Sequence, residues 1–78
     1  MSWNYRRTRE RLVDPDGYRY AIREVYYDDG DGRIVSWSAD PQYPFGETEQ
    51  EIAADFVMMK SAFDQPVVDV SSGKPVIL

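Results

Sequence analysis

The sequence predicts an α+β domain: a three- to four-stranded, mainly antiparallel sheet, built as a meander, with one amphipathic helix packed on one face. Three observations carry this. "DDGDG" (28–32) separates two aromatic, β-branched runs, and Asp-Gly between such runs is a strong hairpin signal. "GETEQEIAADFVMMKSAF" (46–63) joins a capping box to apolar residues at helical spacing. At 78 residues the chain has room for one domain with a single core.

The first strand, about 3–13 ("WNYRRTRERLV"), places Trp3, Tyr5, Arg7, Arg9 and Arg11 on one face and Asn4, Arg6, Thr8, Glu10 and Leu12 on the other. Neither face is cleanly apolar, and a strand so rich in charge suits a sheet edge. "DPDG" (14–17) is a turn, with Pro15 presetting φ and Gly17 tolerating a positive one. The second strand, about 18–27, is rich in Tyr, Ile and Val. Tyr18, Tyr20, Ile22 and Tyr26 share one face, and Ala21, Val25 and Tyr27 the other. A strand apolar on both sides reads as central. Glu24 lies among Ile22 and Tyr26, so an ion pair with Arg7 or Arg9 of the neighbouring strand is expected.

The third strand, about 33–38 ("RIVSWS"), follows the acidic turn, and "ADPQYPFG" (39–46) is a Pro- and Gly-rich loop. The helix spans about 48–64. Thr48 is its N-cap and Glu51 completes the capping box. Glu47, Glu49 and Glu51 place negative charge at the positive end of the helix dipole. Ile52, Phe56, Met59 and Phe63 recur at i, i+4, i+7 and i+11, one helical face, expected to meet strands two and three. Pro66 ends the helix by Gln65. "VVDV" (67–70) forms a short fourth strand, and 71–78 is a polar turn with an apolar tip, expected to fray.

Composition excludes several chemistries. There is no cysteine and no histidine, which removes disulfides, Ser–His and Cys–His nucleophiles and the usual zinc sites. The acids fall in turns and at the helix start, each with a structural role. A calcium loop needs oxygen ligands at positions 1, 3, 5 and 12 and Gly at 6. Counted from Asp29, Arg33 falls at 5 and Ile34 at 6, so "DDGDG" reads as a turn. No catalytic residue, metal, cofactor or small-molecule substrate is expected. No segment approaches the roughly 20 apolar residues of a membrane span, and the N-terminus lacks the apolar run of a signal peptide. The expectation is a soluble, cytoplasmic protein.

The net charge of −5 is uneven. Residues 1–33 hold seven Arg against seven acids, and 34–78 two Lys against seven acids. An acidic total argues against general nucleic-acid binding, although the first strand concentrates Arg6, Arg7, Arg9 and Arg11. The aromatics point to a protein partner instead. Nine of eleven precede Gly46, more than one helix about 10 Å wide can cover. The expected interaction surface is therefore the sheet's open face, drawn from Trp3, Tyr5, Arg7, Arg9, Tyr20, Tyr26 and Trp37. Its partner would be another protein or a second copy.

The order strand, turn, strand, turn, strand, loop, capped helix, strand resembles the degenerate ribonuclease-H-like fold of HicB-type antitoxins. In that family a meander with Asp-Gly turns leads to "G-x-T/S-x-x-E-A" and an amphipathic helix. "DPDGYRYAIREV" and "FGETEQEIAADF" stand in those places, with Gly46, Thr48 and Glu51 matching the helix start. The chain also resembles small bacterial proteins with "WNYR", "EVYYD" and "PV-D" after the helix, which carry no known activity. The first resemblance implies an antitoxin-type regulator that binds a cognate toxin, or touches nucleic acid through the arginines. The chain departs from that family in that the stretch after Pro66, 67–78, is expected to be too short for a DNA-binding segment. It also lacks the acidic constellation of a catalytic ribonuclease-H fold.

Overall fold

The computed structural model describes residues 2–13 and 17–78. Of the "DPDG" turn (14–17), residues 14–16 lie outside the described residues and Gly17 opens the second strand. The fold is α+β, one helix on a five-stranded mixed sheet ordered β3-β2-β1-β4-β5. Its strands are β1 (Ser2–Leu12), β2 (Gly17–Tyr27), β3 (Ile34–Trp37), β4 (Val68–Asp69) and β5 (Val76–Ile77). The helix α1 runs Glu49–Lys60 and tightens into a 3₁₀ turn over Ser61–Asp64. Among the described residues, no helix is long and apolar enough to cross a membrane.

β1 and β2 pair antiparallel along their whole length, from Ser2↔Tyr27 to Leu12↔Gly17. The acidic turn closes the next hairpin. The Asp28 carboxylate accepts the Gly30 N–H at 2.7 Å, Asp31 accepts the Arg33 N–H at 2.9 Å, and Gly32 takes a φ of +71°. Each acid answers a backbone donor, which is what Asx turns do.

The Arg-rich strand was expected at an edge, but β1 is the middle strand, paired with β2 on one side and parallel to β4 on the other. Partners from distant chain segments make this affordable. Arg6 donates to the Tyr27 hydroxyl and the Pro66 carbonyl, Arg7 to the Gln65 carbonyl, and Arg9 to Asp69 at 2.7 Å. The carbonyls that receive Arg6 and Arg7 belong to the segment that leads into β4. The tail expected to fray instead forms β5. Gly73, at φ +80°, turns the chain, and Val76–Ile77 pair antiparallel with β4.

The helix start forms as the sequence indicates. The Glu51 N–H donates to Thr48 Oγ1 at 3.1 Å, and Glu51 accepts the Glu47 N–H at 2.8 Å, one residue before the cap. Gly46 is needed there because a Cβ would lie 2.5 Å from the Ile52 nitrogen.

The helix meets the sheet on a different face from the one expected. Tyr5, Met59 and Ala62 form the buried cluster, with Ile22 packed against it. The sheet-facing line is thus Asp55–Met59–Ala62, rotated by about 60° from the centre of the Ile52–Phe56–Met59–Phe63 stripe at 100° per residue. Of that stripe Met59 alone is buried, while Ile52, Phe56 and Phe63 are 43%, 50% and 59% exposed. Polar bonds set the rotation. The Tyr5 hydroxyl donates to Asp55 at 3.0 Å, and the same carboxylate accepts the Phe45 N–H at 2.9 Å. With the Tyr5 ring beneath it, the helix brings small Ala62 and flexible Met59 to the contact.

Candidate interaction surface

Alternation along β1 and β2 gives the sheet two unlike faces. The helix side carries Trp3, Tyr5, Arg7 and Arg9 from β1, with Tyr18, Tyr20, Ile22, Glu24 and Tyr26 from β2. The far side carries Asn4, Arg6, Thr8 and Glu10, with Ala21, Arg23, Val25 and Tyr27, and Trp37 joins it through its pairing with Val25. Six of the seven residues expected on an open face therefore share the side that the helix occupies, and Trp37 lies on the other.

Several of those six are engaged within the fold. Trp3 packs edge-on against Tyr5, with ring centres 5.2 Å apart. Arg7 lies over the Phe63 ring and Arg9 over the Tyr18 ring, at 5.1 and 4.1 Å. The Tyr26 hydroxyl donates to Glu24 at 2.6 Å. That bond replaces the expected ion pair between Glu24 and Arg7 or Arg9. Glu24 lies opposite Tyr5 in the register, while Arg9 lies opposite Tyr20 and turns to Asp69.

The far side is polar and largely closed. Arg6 and Arg23 are cross-strand neighbours, each only 5% exposed. Arg23 donates to Thr8 and to the carbonyls of Ser38 and Ala39 at 3.0 and 2.6 Å. Glu10 binds Arg19 and lies 3.5 Å from Arg23. Charge-assisted bonds to carbonyls hold these guanidinium groups in place without carboxylates for each. Thr8, Val25 and Val68 are buried with them.

Two groups titrate far from their ordinary values. Burial, and then the hydrogen bond to Asp55, push the Tyr5 hydroxyl up to about 12. The Ser71 backbone N–H, and then Arg9, hold Asp69 at about 2. Both groups hold the fold together; Tyr5 and Asp55 also line a shallow cavity of about 470 Å³ with Tyr43, Phe45 and Met58. Among the described residues, no three potential metal ligands converge.

The outward side of the helix is different. Ile52, Phe56 and Phe63 share this side, and Val57, 68% exposed, stands about 100° further round the helix from Phe56. Beside them, a cavity of about 230 Å³ opens between Tyr43, Phe56, Lys60 and Phe63, with Ile22 at its floor. A larger one of about 620 Å³, lined by Arg7, Tyr20, Ile22 and Gln42, shares Phe63 with it. The result is one apolar band with arginine and lysine at its rim. The 3.6-residue period in the sequence marks its residues correctly as one face, but as core. Their exposure depends on the helix rotation, which no local pattern records. No protein-family model, curated protein or solved structure matches this chain.

Proposed function

We propose that this chain is a non-catalytic, cytoplasmic protein-interaction module that docks its partner on the outward face of α1. One observation carries the reading: Ile52, Phe56 and Phe63 form a helical stripe that the chain's own sheet leaves 43–59% exposed, with Val57 exposed beside it. Contiguous apolar patches of this kind are uncommon on monomers and characteristic of docking surfaces. Amphipathic helices bind partners through such i, i+3, i+4 anchors. The surface differs from the open sheet face that composition alone suggests: the helix lies on the aromatic side of the sheet, and Trp3, Tyr18 and Tyr20 stay 41–60% exposed beside it. The antitoxin-type reading implied by the HicB resemblance draws no support from Arg6, Arg7 and Arg9, whose guanidinium groups bind within the fold.

The test is a photoreactive amino acid placed at Val57 in cells that produce the chain. A discrete adduct is expected, and it should vanish when Phe56→Asp is added. A chain that gives no adduct would contradict the reading.

A further inference from the structure

Building on that interaction reading, we propose that the partner is a second copy of this chain, with the two α1 helices packed antiparallel across a twofold axis. The order of side chains on the outward face argues for it. Glu49, Ile52, Ala53, Phe56, Lys60 and Phe63 recur at spacings of three and four, so they share one side of the helix. An acid stands at the start of this stripe, in the first turn, and a lysine near its end, in the last turn. Eleven residues separate Glu49 from Lys60, about 16 Å of helix rise.

A stripe that begins acidic and ends basic is complementary to itself when one copy is reversed. Isologous contacts come in reciprocal pairs. Glu49 then lies beside the partner's Lys60, and Lys60 beside the partner's Glu49, while Ile52, Phe56 and Val57 meet around the axis. Ala53 lies near that axis, where a small side chain lets the helices approach to the usual 8–10 Å. The cavity between Tyr43, Phe56, Lys60 and Phe63 gives a partner side chain a place to enter.

The surface area fits as well. The chain exposes 5633 Å², whereas a folded monomer of 9.1 kDa exposes about 4,900 Å². That excess, roughly 700 Å², is surface left open over the whole chain, of the order that a standard interface takes from each partner. The radius of gyration of 13.4 Å likewise exceeds the roughly 11.5 Å expected for a compact chain of this length. One protomer alone is more open than its length requires.

Sedimentation equilibrium of the purified full chain, from micromolar to millimolar, should show the mass rising from 9.1 kDa toward twice that value. Phe56→Asp should hold it at the monomer mass while circular dichroism still shows the native helix, with the melting temperature lowered only by the few degrees that removing a half-exposed ring costs. Glu49→Lys and Lys60→Glu, each alone, should weaken the dimer about tenfold, since each places like charges together at both symmetric contacts. An equimolar mixture of the two variants restores both contacts and should recover the parent affinity, with circular dichroism confirming the helix in each. A dimer that forms while the mixture fails to recover overturns the antiparallel pairing. A chain that stays monomeric at millimolar concentration overturns self-association altogether. The Val57 adduct then separates the two readings: a Phe56-dependent adduct with a different protein leaves the interaction module standing, and no adduct removes both.

Discussion

Met59 and Phe56 belong to one helical stripe in the sequence, but the fold gives them opposite environments. Met59→Ala removes a side chain packed on Tyr5 and Ala62 and should cost about 2–5 kcal/mol. Phe56→Ala should cost the isolated chain about 1 kcal/mol, because half of the ring is already exposed. Urea unfolding of both variants at micromolar concentration checks the ordering, and equal losses would mean the helix is rotated as the periodicity alone suggests. Asp69 gives a pH signature at the same scale. Its folded value of about 2 lies below the ordinary 3.8. Its contribution is therefore present above about pH 4 and lost as the pH falls toward 2. Asp69→Asn should melt lower than the parent at neutral pH, and the gap should close across that acidic window.

At the scale of elements, the helix start and the acidic turn are both held by bonds between near neighbours. Thr48→Ala removes the acceptor for the Glu51 N–H and should cost about 1 kcal/mol. Gly46→Ala should cost more, because its Cβ would collide with the backbone nitrogen of Ile52, which cannot rotate away as a side chain can. Amide exchange in the first turn of α1 would report both. The double variant Asp29→Asn, Asp31→Asn keeps the side-chain oxygens that the turn uses while removing two of its three negative charges. Its melting temperature should stay near the parent's, and micromolar calcium should shift neither protein. A calcium response in the parent that the double variant loses would assign the turn a second role.

Across the whole molecule, β1 is the strand on which everything else converges. It pairs with β2 along its length, runs parallel to β4, and supplies Tyr5 to the helix contact and Arg6 and Thr8 to the far-side network. Native-state hydrogen exchange should therefore be slowest for the β1 amides from Tyr5 to Arg9, opening only with global unfolding. β5 pairs over just two residues at the sheet margin and should exchange by local opening. Slow exchange concentrated in β2 and β3, with β1 fast, would restore the edge placement that charge composition suggests.

The types of the elements were legible in the sequence because short-range physics makes them. Thr48 caps a donor three residues away, and Asp28 bonds a donor two residues away. Alternation in β2 and the 3.6-residue period of α1 likewise need no knowledge of the rest of the chain. Tertiary structure alone decided that the Arg-rich strand is central and that the helix turns Ile52, Phe56 and Phe63 outward. Those outcomes rest on Tyr5 reaching Asp55 across 50 residues, and on Arg6 reaching Pro66 and Arg9 reaching Asp69 across 60. A strand's charge shows that partners are needed, but only the fold brings those partners within hydrogen-bond distance. A helical stripe shows that apolar residues share a face, but which face the chain buries depends on what lies beneath it. Here that is a tyrosine hydroxyl bound to one carboxylate.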